Sequence, residues 1–188
     1  MRVISGKFKG TKLKSPTNLK IRPTTDRMKE AVFSMIESEK YSPSIVGKNF
    51  LDLFSGSGSI GIEAFSRGAK FVYMIENDHH SLELIKQNIK KLNLSKEEKN
   101  KLILIKKNIF QLDKLNLPAF NFIYIDPPYI LDKYKEILSI INKKEIINNE
   151  TLIILESKIN QNSFHENFLN IKTKKLSNGC LSMLKINV

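Results

Sequence analysis

Two spacings of hydrophobic residues alternate along most of the chain. Short apolar runs at 49–54, 70–76 and 102–107 are typical of buried β-strands. Between successive runs, residues 60–67 and 78–93 carry apolar side chains at helical spacing, which predicts helices. The pattern therefore predicts strands and helices in alternation.

The same alternation continues toward the carboxyl end. Residues 120–126 and 151–157 form two further apolar runs and are predicted strands. A short helical segment near Phe110 precedes the first of them, and a helix around residues 134–141 separates the two. Strands joined by helices pair in parallel, so the sequence predicts an α/β fold with a doubly wound, mostly parallel sheet.

The tail departs from this alternation. Residues 168–177 and 180–188 predict two adjacent strands, and Asn178 with Gly179 forms a turn between them. Two strands joined by so short a turn must be antiparallel. The terminal hairpin completes a predicted sheet of seven strands.

The first part of the chain differs from the rest. Residues 2–15 read as a small basic β-hairpin, and Thr24 or Thr25 is expected to cap a helix that extends to about Ser38. We therefore expect two units, an N-terminal hairpin extension at 1–20 and a main domain at 21–188.

Positive charge is concentrated in this first part. The formal net charge of the chain is +12, and residues 1–30 hold nine Lys or Arg against two acids. A basic segment of this kind is typical of proteins that bind polyanions such as RNA. The lysines between 86 and 107 are interspersed with Asn and Glu, which favours a solvated helix and loop rather than a binding site.

Several classes of site are disfavoured by composition. The single cysteine, Cys180, allows no internal disulfide, and the three histidines lack the spacing of metal ligands, so we expect no metal. No apolar run approaches the roughly 20 residues needed to span a bilayer, and the first residues lack a signal-peptide pattern. We expect a cytoplasmic protein without membrane contact.

A glycine-rich loop follows the first predicted strand. Gly56, Gly58 and Gly61 have the G-x-G-x-x-G spacing, and Glu76 ends the next strand. Such glycines allow a ligand to approach the backbone, and the acid is placed to accept hydrogen bonds from ribose hydroxyls. The pattern predicts a nucleotide-type ligand.

Asp52, just before this loop, bears on which nucleotide binds. Its negative charge would repel the pyrophosphate of a dinucleotide and attract an aminium group. S-adenosyl-L-methionine has an aminium group and no phosphate. A dehydrogenase that binds NAD remains an alternative, disfavoured by Asp52.

A second motif, Asp126 to Tyr129, directly follows the strand at 120–126. The Asp126 carboxylate and the Pro127 carbonyl are acceptors that can orient an amino group, while Pro128 stiffens the turn. Tyr129 offers an aromatic face on which a base can stack. These residues predict methyl transfer to an exocyclic amine, in which catalysis is largely a matter of positioning.

These motifs together resemble the class I methyltransferases, which have a Rossmann-like sheet, and more specifically the RsmD family. That family methylates N2 of a guanine in bacterial small-subunit ribosomal RNA. The similar segments are MRVISGKFKG, RPTTDRMKEAVFSMI, LDLFSGSGSIGIEAFSRGA and DPPY, in the family's order and approximate spacing. The second segment is the most discriminating, because amino-methyltransferases in general share only the last two.

The resemblance implies a role for individual residues. Glu76 would hold the ribose of the cofactor, and Asn108 with Ile109 would flank its adenine. The methionine end would be lined by Asp52, Ser55, Gly56 and Gly58, and Thr25 would contact the cofactor. Arg22 would contact the target, and from the basic hairpin and the Asp126 motif we expect RNA contacts by Lys7, Lys9, Lys12 and Pro128.

We also expect a monomer that acts on ribosomal RNA within a small-subunit particle or an assembly intermediate. Two alternatives stay open at this point. A DNA adenine-N6 or cytosine-N4 methyltransferase could use the same acceptor motif, although 188 residues leave little room for a DNA-reading domain. A non-catalytic RNA-binding or ribosome-assembly module is the other.

Overall fold

The computed structural model describes residues 1–16, 25–38, 44–128, 133–144, 146–158, 164–177 and 179–187. Seven strands of these residues form one sheet in the order β3-β2-β1-β4-β5-β7-β6. The strands are β1 (Asn49–Leu53), β2 (Phe71–Glu76), β3 (Leu102–Lys106), β4 (Phe122–Ile125), β5 (Leu152–Ser157), β6 (Phe168–Leu176) and β7 (Gly179–Ile186).

The first five strands are parallel, and β7 runs antiparallel to both of its neighbours. All residues of β4 and β5 are buried, as expected for central strands covered on both faces. The predicted α/β sheet with an antiparallel terminal hairpin is therefore confirmed.

Helices cover both faces of the sheet. They are α1 (Asp26–Ile36), α2 (Ser59–Ser66), α3 (His79–Lys90), α4 (Lys96–Lys99) and α5 (Tyr134–Lys143), with a 3-10 turn at Ile109–Lys114. Side chains of α1, α2 and α3 share one apolar cluster, whereas α5 and the 3-10 turn belong to the cluster on the opposite face. None of the described helices is long and apolar enough to cross a bilayer.

Residues 1–16, here called the N-terminal loop, pack against the first of these clusters. The predicted hairpin is present as one antiparallel bridge, between Arg2 and Lys12, and three backbone hydrogen bonds join its two arms. Val3 and Leu13 are buried in the same core as α1 and α2. The predicted boundary at residue 20 lies outside the described residues and stays a prediction.

A buried carboxylate on α2 anchors this loop. Glu63 is fully buried and accepts hydrogen bonds from the backbone N–H groups of Ile4 and Ser5, each at 2.9 Å. Arg67 donates to the same carboxylate at 3.0 Å, and the buried Lys29 ammonium lies 4.0 Å from it. The four donors and cations compensate the cost of burying the charge.

The loop also closes the carboxyl end of α2. The Ser66 carbonyl accepts from Lys7 N–H at 2.8 Å, and the Ser66 hydroxyl accepts from Phe8 N–H at 3.0 Å. Gly6, at φ +78°, lies so close that a Cβ there would be 1.8 Å from the Ser66 carbonyl oxygen. Only glycine fits this contact, so the loop is docked on α2 rather than projecting freely.

Candidate cofactor and target site

The strand order brings three sequence motifs to one edge of the sheet. β1 pairs with β2 on one side and β4 on the other, with Leu53 opposite both Ile75 and Ile125. The residues that follow these strands are the glycine loop, Glu76 and Asp126. Ligands of open α/β sheets bind at this kind of edge, where the strand order reverses.

The glycine loop makes two left-handed turns. Gly56 has φ +53° and Gly58 has φ +74°, conformations that side-chain-bearing residues rarely adopt. Gly58 N–H donates to the Ser55 carbonyl at 2.7 Å, and the Ser55 hydroxyl donates to the Asp52 carbonyl at 2.8 Å. The glycines thus shape a tight loop at the edge of the sheet, in which Gly56 is half-buried and Gly58 is buried.

Glu76 holds this loop in place. One carboxylate oxygen, Oε2, accepts from Gly56 N–H at 2.9 Å. The other, Oε1, accepts from the N–H groups of Asn77 at 2.8 Å and Asp78 at 2.9 Å. A carboxylate has about four lone-pair sites. Glu76 therefore keeps one acceptor site, on Oε2, for a ligand hydroxyl.

Asp52 lies beneath α2 rather than on the surface of the crevice. Its side chain is 1% exposed, and Oδ2 accepts from Gly61 N–H at 3.0 Å. Burial, reinforced by the negative charge of Glu76, raises the pKa of the Asp52 carboxyl to about 8, against the lowering effect of hydrogen bonds from Gly61 and Ser55. A cation bound nearby would favour the ionised form of Asp52.

Asp126 and the two prolines form the other side of the site. Asp126 follows β4 directly and is half-buried, Pro127 is buried and Pro128 is exposed. Tyr129, the predicted stacking residue, lies outside the described residues, as does Arg22. The β1–β4 pairing thus brings the backbone at Asp126 next to the start of the glycine loop.

The predicted adenine contacts come from the end of β3. Asn108 is exposed, and its amide oxygen accepts from Phe110 N–H at 3.0 Å, which caps the 3-10 turn. Ile109 beside it is buried. Lys107 N–H donates to the Glu76 carbonyl at 3.0 Å, so this turn adjoins the end of β2.

The residues near the amino end that were predicted to contact cofactor or RNA lie at the start of α1 and on the N-terminal loop. Thr25 is the N-cap of α1, and its hydroxyl accepts from Met28 N–H at 3.1 Å. Lys7, Lys9 and Lys12 are exposed on the N-terminal loop, and the Lys7 ammonium lies 2.7 Å from the Glu98 carboxylate. The structure therefore places the lysines on a surface that RNA can reach.

Sequence reasoning did not anticipate a buried pair behind Asp126. The Tyr124 hydroxyl donates to Glu156 Oε2 at 2.9 Å, and both side chains are buried. Burial raises the pKa of Tyr124 well above its ordinary value, and the charges of Asp126 and Glu156 raise it further. The signal in the sequence is polar residues within the apolar runs of β4 and β5.

Other catalytic chemistry is not supported. The described residues contain no group of His, Cys, Asp and Glu that could hold a metal ion. His165 and Ser139 are 2.8 Å apart, but His165 Nδ1 accepts from Asn167 N–H at 3.1 Å. In the neutral ring, Nε2 then carries the proton and donates to Ser139, so it cannot act as a base toward that hydroxyl.

Comparisons with known proteins agree with this geometry. Residues 1–185 match the family described as Conserved hypothetical protein 95. "Ribosomal RNA small subunit methyltransferase D" of Escherichia coli K12 is 31% identical over 160 residues, 85% of this chain and 75% of that protein. "Putative rRNA methyltransferase YlbH" of Bacillus subtilis is 36% identical over 156 residues, 83% of this chain and 82% of that protein.

A comparison with solved structures agrees with the fold described above. The solved structure of "Putative methyltransferase yhhF from Escherichia coli" has a TM-score of 0.83 at 24% identity and covers 100% of this chain and 98% of that chain. The resemblance to the RsmD family is confirmed by the family match and by both curated relatives. The chain thus belongs to the Conserved hypothetical protein 95 family, which is the RsmD family of ribosomal RNA small subunit methyltransferases.

Proposed function

We propose that this chain transfers a methyl group from S-adenosyl-L-methionine to the exocyclic N2 amine of a guanine in small-subunit ribosomal RNA. Membership of the family makes the chain a ribosomal RNA methyltransferase that uses this cofactor. The choice of guanine N2 goes beyond the family name. The observation that carries the proposal is the β1–β4 register, which sets Asp126 beside the glycine loop.

The residues at this edge fit the cofactor. Glu76 keeps an acceptor site for a ribose hydroxyl, and the buried Asp52 carboxyl is matched by an aminium group. The Ser59 hydroxyl, in the first turn of α2, is 1% exposed and has no hydrogen-bond partner in the described part of the chain. A buried hydroxyl without a partner is costly, so a polar ligand at this helix start would relieve it. When bound, the cofactor supplies an electrophilic methyl group.

Asp126 and Pro127 fit an amino group as the methyl acceptor. The nitrogen lone pair of a guanine amine is delocalised into the ring, which makes the amine a poor nucleophile. Two acceptors that bind its two N–H groups would hold the nitrogen so that the lone pair points toward the methyl group. The enzyme's contribution is then mainly orientation, and Asp126 would also accept the proton that the amine loses.

The N-terminal loop fits the RNA. Its lysines are exposed and lie on a loop that Glu63 anchors, so phosphate contacts there would hold the RNA in register with the pocket. We further propose that the protein acts as a monomer in the cytoplasm, on a small-subunit particle or an assembly intermediate.

An Asp126→Asn variant tests the proposed mechanism. With undermethylated small subunits and labelled cofactor, we expect transfer to fall about a hundredfold or more, because the amide cannot accept a proton. Cofactor affinity should stay near that of the unchanged protein. Glu136→Gln, an exposed acid on α5, serves as the control and should transfer normally.

The product of the unchanged protein identifies the acceptor. Mass spectrometry of digested ribosomal RNA is expected to find one N2-methylguanosine. A different methylated base would disprove the proposed acceptor, and undiminished transfer by Asp126→Asn would disprove the role of Asp126.

A further inference from the structure

One buried side chain connects the N-terminal loop to the glycine loop. Asn88 lies on α3 and is fully buried. Its amide oxygen accepts from Lys14 N–H at 2.7 Å. Its amide nitrogen donates to the Lys14 carbonyl at 3.2 Å and to the Ser57 carbonyl at 3.0 Å. Because two partners are carbonyls and one is an N–H, only one orientation of the amide satisfies all three.

The bond to Ser57 holds the glycine loop at its centre. Ser57 stands between Gly56 and Gly58, both of which have positive φ. The peptide that joins Ser57 to Gly58 is held on one side by Asn88, and on the other by the bond from Gly58 N–H to the Ser55 carbonyl at 2.7 Å. The direction of this peptide therefore depends on Asn88.

The bonds to Lys14 hold the end of the N-terminal loop. Two further contacts join the same segment to α3: the Lys14 ammonium donates to Gln87 Oε1 at 2.7 Å, and the Lys91 ammonium donates to the Lys12 carbonyl at 2.9 Å. These contacts are exposed and depend on flexible side chains. Asn88, by contrast, is buried and bonds both the N–H and the carbonyl of Lys14.

We infer that Asn88 is a positioning residue that couples RNA binding at the N-terminal loop to cofactor binding at the glycine loop. The inference rests on the proposed function, which assigns these two loops to RNA and cofactor. The Asn88 amide holds both loops. Fixing one loop in its bound conformation therefore lowers the free-energy cost of fixing the other. Coupling between two sites is reciprocal, and typical values change affinity about fivefold or more.

The test measures the affinity for S-adenosylhomocysteine by calorimetry, with and without saturating undermethylated small subunits. The unchanged protein should bind this ligand at least about fivefold more tightly when the small subunits are present than when they are absent. Asn88→Asp keeps the acceptor for Lys14 N–H but turns both donors into an acceptor that faces two carbonyls. In this variant the ratio of the two affinities should fall to about one.

Two further variants complete the test. Asn88→Ala removes all three bonds without introducing a charge, and it should also lose the coupling. Asn93→Asp makes the same chemical change at an exposed position just after α3, and it should keep the full ratio. Circular dichroism and thermal unfolding identify any variant that does not fold. If one Asn88 variant does not fold, the affinity ratio of the other Asn88 variant tests the inference.

The outcomes separate the inference from the proposed function. A ratio of one in the unchanged protein, or a full ratio in a folded Asn88 variant, would overturn the coupling. Failure of the unchanged protein to bind undermethylated small subunits at all would instead overturn the proposed function. A full ratio in Asn93→Asp together with its loss in the Asn88 variants supports the inference.

Discussion

Glu76 Oε2 accepts a hydrogen bond from Gly56 N–H at 2.9 Å, across 20 residues of sequence. The acid at the end of β2 thus stabilises the conformation of the glycine loop without a bound ligand. Its second oxygen orders the backbone that leads into α3. A residue expected to touch the cofactor therefore also prepares the site for it, which makes its substitution informative.

Glu76→Gln should weaken cofactor binding about ten- to a hundredfold, since a hydrogen bond to a charged group is worth about 1.5–3 kcal/mol. The amide group of Gln directs two N–H bonds at positions where Glu76 accepts. Calorimetry with S-adenosylhomocysteine measures the change. Glu83→Gln removes an equal charge from the surface of α3, where Glu83 pairs with Lys86 at 2.7 Å, and should bind normally. Equal affinities for the two variants would contradict the role of Glu76.

Cofactor binding should release a proton near neutral pH. In the empty protein the pKa of Asp52 is about 8, so its carboxyl is largely neutral at pH 7. The aminium group of the cofactor favours the ionised form, so affinity should rise as the pH increases from 6 to 7.5. Calorimetry in buffers of different ionisation enthalpy detects the released proton. No release, or equal release by Asp52→Asn, would argue against contact between Asp52 and the aminium.

The same carboxyl should make the empty protein less stable as the pH rises. Its folded pKa of about 8 exceeds the ordinary value of 3.8, so the folded state binds more protons between these values. Stability contributed by the neutral form is therefore lost as the pH approaches 8. Asp52→Asn keeps an acceptor for Gly61 N–H and should show a weaker decline. Urea unfolding at pH 6 and pH 8 measures both proteins, and parallel declines would refute the prediction.

Gly6→Ala and Gly10→Ala form a matched pair for the docking of the N-terminal loop. Both glycines have positive φ, +78° and +89°, so both substitutions strain the backbone. A Cβ at Gly6 meets Ser66 of α2, whereas one at Gly10 meets nothing within 4 Å. We expect Gly6→Ala to lower the free energy of unfolding by about 1–3 kcal/mol more than Gly10→Ala. Equal losses would mean that the contact with α2 is unimportant.

The lysines of the N-terminal loop should govern the salt dependence of RNA binding. Lys9→Gln and Lys12→Gln are each expected to reduce the slope of log affinity against log salt by about 1, for one lost phosphate contact. Lys135→Gln, exposed on α5 over the opposite face of the sheet, should leave the slope unchanged. Filter binding at several salt concentrations measures the slope. Three equal slopes would place the RNA elsewhere.

Much of the fold follows from local pattern. The apolar runs predicted each of the seven strands, and Thr25 was one of two candidates for the cap of α1, which begins at Asp26. The N-terminal hairpin was only partly anticipated. Its two arms pair through one bridge and three backbone hydrogen bonds, and Val3 and Leu13 are buried in the main core. The local pattern predicted the pairing of the arms but not their burial against α1 and α2.

The sequence by itself determined the sheet, its terminal hairpin, and the two motifs that end β1 and β4. Hydrophobic periodicity indicates which residues face a core, and the residue types at strand ends (glycine, proline and acid) indicate the chemistry available there. Only the tertiary structure decided what those residues contact. Asp52 is buried against Gly61, Glu63 anchors a loop 58 residues away, and Asn88 reaches both Lys14 and Ser57. Such bonds depend on how the helices pack on the sheet, which no local pattern encodes.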